Sequence, residues 1–529
     1  MFQKEAYYLR LARPSDLKNK KERMIFRAFE MLPGALAWLT FIALILASRF
    51  FPNQTSIVLI VFILFWFLRT IYFLIHLLST YKQTRREEKI NWPEKLRSLP
   101  FPRQTLPGVS SWQEIWHLII LPTVNEPYEI LKDSLVSLVQ AGYPVEKMIV
   151  VLAFEERGGE WAKNKAWKVK EEFGAIFNNL LITFHPDNIP GELKGKGANE
   201  AFAARQAKRM IDDLKIPYEN IIVSVFDCDT RVKPWFFHCL TYNYLVCEKP
   251  LRSSFQPIPL YTNNIWRAPT LAYILSFSAT FWQMIQQARP EILITYSSHS
   301  MGFKPLVEVG FWQENVVSED SRIFYQCFLK FDGDWRVVPL HFFVTMDANI
   351  APTFWQTMKN QYKQQRRWAY GAENIPYLLF GFLKNKKIPL LKRWMHGLNI
   401  IEGFHSWCTH SLILFGLGWL PLILGAKDFS FTILSYNLPQ IASLFMRMSL
   451  VGMLGSMYLT TVMMPYDQKP MSIKDKVILS FRWILGPLTI VLSTIPALEA
   501  STRLMLGKYM GFWVTPKERV QSSKVKVQN

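Results

Sequence analysis

The segment Asn220–Thr230, NIIVSVFDCDT, joins a run of apolar residues to a pair of aspartates. The β-branched and aromatic residues of the run predict a strand. A continuous apolar run without alternation is typical of a parallel strand that is buried on both faces. Because ligands of parallel sheets bind beyond the carboxyl ends of the strands, Asp227 and Asp229 are expected at a binding site.

Three more short apolar runs precede this segment, and each ends at proline or at polar residues. They are HLIILPTVNEP (117–127), KMIVVLAF (147–154) and NLLITFHP (179–186). Helix-like stretches such as Tyr128–Ala141 separate them, which predicts a parallel α/β sheet with helices on both faces. The polar clusters TVNE and EER should therefore lie beside DCD at one edge of the sheet.

Long apolar stretches lie on both sides of this region. Met31–Phe51 and Ser56–Ser79 are each long enough to cross a bilayer, which takes about 20 residues. A four-residue linker, Pro52–Thr55, is expected to join them as a hairpin. The flanking KNKKER and YKQTRREEK segments are basic, which predicts that both ends of the hairpin are cytoplasmic.

Three apolar stretches follow the α/β region. Trp407–Ala426 and Leu438–Met464 are predicted to cross the membrane. Val477–Leu506 contains two prolines and three charged residues, and charges are costly at membrane depth. It is therefore predicted to be an interfacial or re-entrant helix that does not cross.

Composition limits the classes of protein that remain. Of 529 residues, 50% are hydrophobic but 19% are charged, so a soluble domain must accompany the membrane segments. The formal charge of +20 suits contact with anionic lipid or a phosphate-bearing substrate. A nucleic-acid binder would need a recognition module, and the sequence contains none. The five cysteines have no metal-site or disulfide spacing, which favours a reducing compartment.

Two carboxylate pairs could carry chemistry. Asp227 and Asp229 point to the same side of an extended chain and could share Mg²⁺ or Mn²⁺ with diphosphate oxygens. The alternative is a solvated turn. Glu319 and Asp320, in VVSEDSRIF, could include a general base that deprotonates a hydroxyl. Their alternative is the first turn of a helix, where carboxylates are stabilised by the helix dipole.

Two basic segments could bind phosphate. In QYKQQRRWAYG (361–371), Gln364 and Arg367 share a helix face, Arg367 can clamp phosphate oxygens, and Trp368 can stack on a sugar. An amphipathic helix on the membrane surface is a compatible alternative. GELKGKGANEAF (191–202) could hold phosphate through backbone N–H groups and lysine.

In chain order, LPTVNEP, KGKGAN, FDCDT, SED and QQRRW resemble the motifs of membrane-integrated family-2 glycosyltransferases, the group of the cellulose, hyaluronan and chitin synthases. The resemblance covers about residues 118–371 and the flanking membrane layout. It implies a catalytic domain with the GT-A fold, a Rossmann-like α/β fold. This domain would be inserted between transmembrane helices, with about four membrane spans plus interfacial helices in the whole chain. The expected donor is a nucleotide sugar, of the UDP-sugar kind, that binds at the strand-end cleft with Mg²⁺ or Mn²⁺ as cofactor.

The resemblance also implies roles for individual residues. Donor-binding positions would be Thr123, Asn125, Glu126, Glu155, Lys196, Asp227, Gln364 and Arg367. The metal would be held by Asp229 and Asp227, and the catalytic positions would be Asp320, as the base, and Glu319 beside it. The acceptor would meet Trp368 and the YSSHS segment with Ser298 and His299.

The chain departs from the family pattern at three places. Val124 stands where the family often has tyrosine, and Ser318 replaces the threonine of the TED-type motif. AFEER stands where the family has an aspartate pair, so either Glu155 or Glu156 could meet the nucleotide base.

Near the C-terminus, GFWVTPKERV (511–520) resembles the FxVTxK gating loop of the processive synthases. Phe512, Val514, Thr515 and Lys517 match it position by position, and Thr515 and Lys517 would contact the donor. Such a loop must lie on the same side of the membrane as the cleft, so an even number of spans must separate the two.

These inferences predict six regions, with the following bounds: a cytoplasmic N-terminal segment (1–30), a two-helix transmembrane hairpin (31–80), the cytoplasmic GT-A glycosyltransferase domain with interfacial helices (81–395), two transmembrane helices (396–466), an interfacial or re-entrant helix (467–507) and a basic, gating-loop-like tail (508–529). The protein is expected to be integral to the plasma membrane.

The activity that the resemblance implies is inverting transfer that makes β-linkages, repeated to build a polysaccharide, with export of the product as a further expected step. Its partners would be the nucleotide-sugar donor, a glycan or lipid-linked acceptor, membrane lipids, and a second copy or an export partner, with no nucleic acid. Transfer of a single sugar to a lipid-linked acceptor is the alternative. A transporter would have a smaller soluble part, and a glycosidase would leave QQRRW unexplained.

Overall fold

A computed structural model describes residues 7–465 and 472–516 of the chain. Lys517 and the rest of the C-terminal tail lie outside the described residues, as do residues 466–471 between two of the apolar segments.

The two N-terminal helices are α1 (Lys20–Phe50) and α2 (Pro52–Glu87). The expected four-residue linker is wrong, because only Phe51 separates them. Pro52 instead begins α2, a position where proline is favoured because it has no N–H to leave unsatisfied. Both helices are long and apolar enough to cross a membrane.

The α/β domain follows. Its strands are β1 (Trp116–Pro122), β2 (Met148–Glu155), β3 (Asn179–His185), β4 (Ile221–Val225), β5 (Arg231–Val232), β6 (Ser253–Leu260), β7 (Ser300–Gly302) and β8 (Arg336–Thr345). Its helices are α3 (Trp92–Arg97), α4 (Tyr128–Gln140), α5 (Gly159–Phe173), α6 (Lys196–Asp213), α7 (Phe236–Val246), α8 (Thr270–Gln287), α9 (Phe303–Val309), α10 (Glu319–Lys330), α11 (Phe354–Ala369) and α12 (Asn374–Lys384).

The eight strands form one mixed sheet in the order β3-β2-β1-β4-β7-β6-β8-β5. The first four are parallel, in the order of a Rossmann-like half, and were all predicted from the sequence. Neighbouring residues of β1 point to different cores: Leu118 and Ile120 pack into one, Ile119 and Leu121 into the other. Burial on both faces explains the unbroken apolar runs, and the predicted parallel α/β sheet is confirmed for these four strands.

The other half of the sheet was not predicted. β4 pairs antiparallel with the short β7, which pairs antiparallel with β6, and β8 runs parallel to β6. This half brings the chain after residue 290 back to the end of β4. β5 and β7 are only two and three residues long, and the register of β6 is interrupted by an irregularity. Such strands leave little periodic signal in the sequence.

The C-terminal helices are α13 (Leu390–Phe415), α14 (Leu420–Leu424), α15 (Lys427–Ser430), α16 (Ile433–Met448), α17 (Leu450–Met463), α18 (Ile473–Ser480) and α19 (Gly486–Met505). By length and composition alone, Ile433–Met463 and Ile473–Met505 can span a membrane, which gives four candidates with α1 and α2. The segment Leu390–Leu424 is bent by 53° and would be a fifth if it is one span. Four is the expected number, but by this criterion Ile473–Met505 takes the place of Trp407–Ala426.

Contacts distinguish these segments further. Arg49, near the end of α1 remote from the α/β domain, donates to the Leu424 carbonyl. Residues 390–424 therefore extend along the length of α1. In contrast, Arg482 donates to the Ala268 carbonyl just before α8, and Glu499 pairs with Arg366 of α11. Residues 473–505 therefore contact the α/β domain at both ends.

Candidate active site

A cavity of about 1160 Å³ lies beyond the carboxyl ends of β1, β2 and β4. Most of the positions that the sequence predicts for the site line this one cavity, although they come from separate parts of the chain. They are Glu126, Glu155, Lys196, Asp227, Asp229, Glu319, Asp320, Gln364, Arg367, Trp368, Phe512, Val514 and Thr515.

Lys196, the first residue of α6, lies at the centre of a polar part of the cavity, which we call the polar end. Its Nζ donates to both oxygens of Asp320 at 2.9 and 3.0 Å, and it pairs with Asp227 Oδ1 at 2.9 Å. Glu200 and Glu319 are also near, with carboxylate oxygens 3.5 and 3.8 Å from Nζ. One ammonium thus faces four carboxylates, of which Glu200 and Glu319 are fully buried.

Burial and crowding set the charges of this cluster. Burial alone would lower the pKa of Lys196, but Asp227 and the three other carboxylates outweigh it and raise that pKa well above its usual range. Burial, with the neighbouring charge of Asp320, raises the pKa of Glu319 to about 8. Burial likewise raises the pKa of Glu200 well above its usual range. Lys196 is therefore charged at pH 7 and Glu319 is mostly neutral there, while Glu200 holds its proton more tightly than an exposed glutamate does.

The close approach of α6 and α10 depends on a glycine. A Cβ on Gly197 would lie 2.9 Å from the Gln313 carbonyl oxygen and 2.9 Å from Glu319 Cβ. Glu373 fixes the turn before α10, because its Oε1 accepts from the Val317 and Ser318 backbone N–H groups and from the Ser318 hydroxyl. Glu319 and Asp320 thus form the first turn of α10, as one of the two alternatives predicts, and that turn lines the cavity.

The two aspartates of DCD have different surroundings. Asp227 is partly exposed to the cavity, and its Oδ2 accepts from the Ser297 hydroxyl at 3.0 Å. Asp229 is 2% exposed, and its Oδ2 accepts from the Asp347 backbone N–H at 3.0 Å. The tightest carboxylate group among the described residues is another one, formed by Glu200, Glu319 and Asp320, whose oxygens lie within 4.8 Å of one another.

The residues present fit a divalent cation of the predicted kind. Carboxylate oxygens are the ligands that Mg²⁺ and Mn²⁺ prefer. Both oxygens of Glu200 and of Glu319 are buried without a hydrogen-bond partner, so the polar end has unused acceptor capacity. Asp227 and Asp320 against the one lysine also leave negative charge to be balanced.

Only some of the residues expected at the nucleoside line the cavity. Glu126 lines the cavity, but its Oε2 accepts from the Thr123 hydroxyl and from the backbone N–H groups of Val124 and Asn125, so it also holds its own turn. Thr123 is buried in that turn, and Asn125 is exposed outside the cavity. Glu155 lines the cavity and forms an ion pair with Arg157, whereas Glu156 does not line it.

The C-terminal segment closes over the site. The Arg367 guanidinium lies 4.9 Å from the centre of the Phe512 ring. A Cβ on Gly195 would lie 2.6 Å from Phe512, so the glycine before Lys196 allows the ring to pack there. The Thr515 hydroxyl is buried and has no hydrogen-bond partner. Lys517, the last residue of the motif, lies outside the described residues.

The expected acceptor segment reaches the cavity through other residues than predicted. Tyr296 and Ser297 line it, but Ser298 and His299 are buried and do not. His299 Nε2 accepts from Trp312, so its Nδ1–H donates to the Tyr296 carbonyl at 2.9 Å. Burial lowers the pKa of His299, which keeps the ring neutral. His299 Nδ1 lies 3.8 Å from Asp320 Oδ1, and the ring supports the YSSHS turn next to Asp320.

Sequence reasoning missed several cavity residues. Glu200 had a signal, because it is four residues after Lys196 and such pairs meet on a helix. Asp347 and Asn349 follow β8, a strand that the sequence analysis did not predict. The residues on the membrane helices had no motif.

Residues 222–464 match the family model described as "Glycosyl transferase family group 2". No curated protein matches the chain significantly. Among solved structures, the chain is similar to mannosyltransferase PcManGT from Pyrobaculum calidifontis in complex with GDP-Man and Mn²⁺, at 12% identity and a TM-score of 0.41 over 85% of this chain and 100% of that one. It is also similar to residues 1–349 of S. aureus TarS in complex with UDP-GlcNAc, at 11% identity and a TM-score of 0.34 over 75% of this chain and 93% of that one.

Proposed function

We propose that the chain, of which residues 222–464 match the family-2 glycosyltransferase model, transfers a sugar from a nucleotide-sugar donor to an acceptor hydroxyl in the cavity. One observation carries the proposal. Lys196 joins Asp320, the candidate base, to Asp227, the candidate donor and metal residue, and Arg367 lines the same cavity. The candidate base and the two cationic side chains that would bind a diphosphate thus lie in the same cavity, where a donor and an acceptor could reach them together.

Each residue has a chemical role in this reaction. Arg367 and Lys196 bind the diphosphate and stabilise the negative charge that develops on it as it leaves. Asp320 accepts the proton of the acceptor hydroxyl, whose oxygen attacks the anomeric carbon opposite the departing diphosphate. One such displacement inverts the anomeric centre. When bound by Asp227 and Asp229, Mg²⁺ or Mn²⁺ would supply further charge neutralisation at the diphosphate.

Lys196 also has to change partners during the reaction. Both oxygens of Asp320 accept hydrogen bonds from Lys196 Nζ, so neither is free to accept the proton of an acceptor hydroxyl. A donor diphosphate competes with Asp320 for the same Nζ, so donor binding would free Asp320 when the acceptor arrives. The order of binding, donor before acceptor, follows from this exchange.

The membrane topology that fits these contacts has four crossings. Because both ends of residues 473–505 contact the α/β domain, this segment stays on the side of that domain. The crossings are then α1, α2, residues 390–424 and residues 433–463, with the domain in the cytoplasm as the basic flanks predict. Phe512 reaches Arg367 only if an even number of crossings separates them, and this topology has two.

Repeated addition to a polysaccharide is the first candidate product. Phe512 and Thr515 close the donor end of the cavity, as a gating segment of a processive enzyme would. A lipid-linked acceptor is the second candidate. It is favoured by the continuation of the cavity between membrane helices, with largely apolar walls.

A screen of nucleotide sugars with the purified full chain tests the function. We expect one donor to be consumed with Mg²⁺ or Mn²⁺ present, and product sizing separates a polymer ladder from a single addition. If no nucleotide sugar binds or is consumed, the proposed function is wrong. Retention of anomeric configuration in the product would contradict the assignment of Asp320 as base in a single displacement.

A further inference from the structure

The chain before α1 lies against the helix that carries the candidate base. Arg322 of α10 donates to the Leu11 carbonyl at 3.1 Å, and Gln313, between α9 and α10, donates to the Arg10 carbonyl at 3.2 Å. Arg322 is fully buried, so water does not compete for its hydrogen bonds. The segment with Arg10 and Leu11 is therefore fixed to the helix whose first turn contains Asp320.

The same N-terminal part of the chain also holds the segment that follows α19. The Arg13 guanidinium lies 4.5 Å from the centre of the Tyr509 ring. The Tyr509 hydroxyl donates to Glu30 of α1, whose Oε1 and Oε2 lie 3.3 and 3.0 Å away. Glu30 is 1% exposed, and hydrogen bonds to carboxylates are among the strong ones in proteins. Tyr509 is thus held both by its ring and by its hydroxyl.

Arg27 of α1 fixes the end of α19 just before this contact. Its guanidinium donates to the Leu504 carbonyl at 2.9 Å and to the Met505 carbonyl. The last carbonyls of a helix lack their usual intrahelical donors, and a positive charge also suits this end of the helix dipole. Arg27 donates to Glu30 as well, at 2.7 Å, which joins the two contacts. We call this cluster the clasp; its members are Arg13, Arg27, Glu30 and Tyr509.

The clasp lies immediately before the residues that close the cavity, 511–516, which we call the gating segment. Tyr509 is three residues before Phe512, and three residues span at most about 10 Å even when fully extended. A fixed Tyr509 therefore confines Phe512 to a small volume. Within that volume the ring packs on Gly195 and Arg367. Because the chain that carries Arg13 is fixed to α10, the clasp sets the position of this ring relative to the candidate base.

We propose that the clasp positions the gating segment, so that Phe512 stays over the donor while Asp320 acts. This inference rests on the proposed function, and it assigns positioning residues to that same site. Arg13, Glu30 and Tyr509 do not line the cavity and act through Phe512. With the clasp loosened, the segment would be open for a larger fraction of the time, and water would reach the donor. In that side reaction the water oxygen bonds the anomeric carbon, the bond to the diphosphate breaks, and the proton goes to Asp320.

Tyr509→Phe tests the clasp with a small change, because it removes only the hydroxyl that donates to Glu30. In the full chain, with the donor that the screen identifies, we expect the ratio of transfer to hydrolysis to fall at least threefold. Tyr7→Phe is the matched control, since the Tyr7 hydroxyl also donates to a glutamate of α1, Glu22, at 2.8 Å. The control should keep the wild-type ratio. An unchanged ratio in Tyr509→Phe would overturn the inference.

A double-mutant cycle separates positioning from a general loss of structure. If Tyr509 acts through Phe512, then Tyr509→Phe should change the ratio by less than about 1.5-fold in a Phe512→Ala background. A threefold effect in that background would show that Tyr509 acts by another route, and the inference would be wrong.

Limited proteolysis tests the clasp without turnover. Lys508 is exposed beside Tyr509, so a loosened clasp should speed tryptic cleavage after Lys508 at least threefold in Tyr509→Phe, but not in Tyr7→Phe. Mass spectrometry of the released C-terminal peptide measures the rate. Equal rates in the wild type and Tyr509→Phe would contradict the clasp. Faster cleavage in the variant, together with a wild type that consumes no nucleotide sugar, would confirm the clasp contact and count against the proposed function instead.

Discussion

The two ends of the cavity differ in what holds them together. At the polar end, one lysine is surrounded by four carboxylates from α6, α10 and the chain after β4, and each of these residues lies in or beside a recognisable motif. At the membrane end, which is the part of the cavity between α2, α8, α13, α16, α17 and α19, arginines from α2, α16 and the chain after α8 line largely apolar walls, and none lies in a motif. The contrast suggests that the polar end carries the chemistry and the membrane end selects the acceptor. The following experiments would break or sharpen that division.

Removal of divalent cations should have the largest effect. With EDTA present, the carboxylates of the polar end keep their excess negative charge and repel the donor diphosphate, so transfer should fall to background. Mn²⁺ or Mg²⁺ should restore it. Full activity in EDTA, measured as nucleotide release, would contradict the metal role of Asp227 and Asp229.

Lys196→Met should lower kcat/KM for the donor by about 10² to 10³, since an ammonium that contacts a developing phosphate charge contributes several kcal/mol. Lys194→Met is the matched control, because Lys194 is half-exposed and pairs with Asp187. If Lys194→Met lowered kcat/KM as strongly, the effect would not come from the polar end.

Phe512→Ala should lower kcat about tenfold and raise the share of donor lost to hydrolysis, because the ring no longer excludes water from the donor. Trp513→Ala, which removes the neighbouring ring over Lys363, should have a smaller effect. The ratio of transfer to hydrolysis measures this directly. An unchanged ratio would argue against a gating role for the segment.

Glu319→Gln should have the smallest effect, seen as the pH dependence of stability. The folded pKa of Glu319 is about 8, above the usual value of about 4.5, so the folded state holds one more proton than the unfolded state between these values. The contribution of this group to the free energy of unfolding is therefore full below about pH 4.5 and is lost as pH rises towards 8. As pH rises through this window, the unfolding temperature measured in detergent should fall less for the variant than for the wild type. An identical fall in both proteins would contradict the raised pKa of Glu319.

The sequence predicted the polar end because its signals are local. Apolar runs gave β1 to β4, and the carboxyl ends of parallel strands meet at one edge, so Glu155 and Asp227 could be placed together without coordinates. Glu200 was missed although its spacing from Lys196 indicated a shared helix face. Ser298 and His299 were predicted at the acceptor, but the turn after residue 295 presents Tyr296 and Ser297 instead.

The membrane end could not be predicted because it depends on which helix faces meet. Hydropathy alone favours a crossing for Ile473–Met505 as for Ile433–Met463, whereas the prolines and charges of the former and the contact of Glu499 with Arg366 set it apart. Phe67 and Phe445 are 378 positions apart in the sequence and pack on each other where α16 meets α2. Helix packing of this kind has no short sequence signature.

The most direct test of the central claim is a comparison of Asp320→Asn with the wild type under single turnover. Once the donor screen has identified the substrate, donor affinity and the rate of the first transfer are measured in the same sample, with Asp213→Asn as an exposed control. Loss of a general base predicts a rate about 10² to 10⁴ lower, with donor affinity changed less than a few-fold. A rate within threefold of the wild type would contradict the assignment of Asp320 as the base.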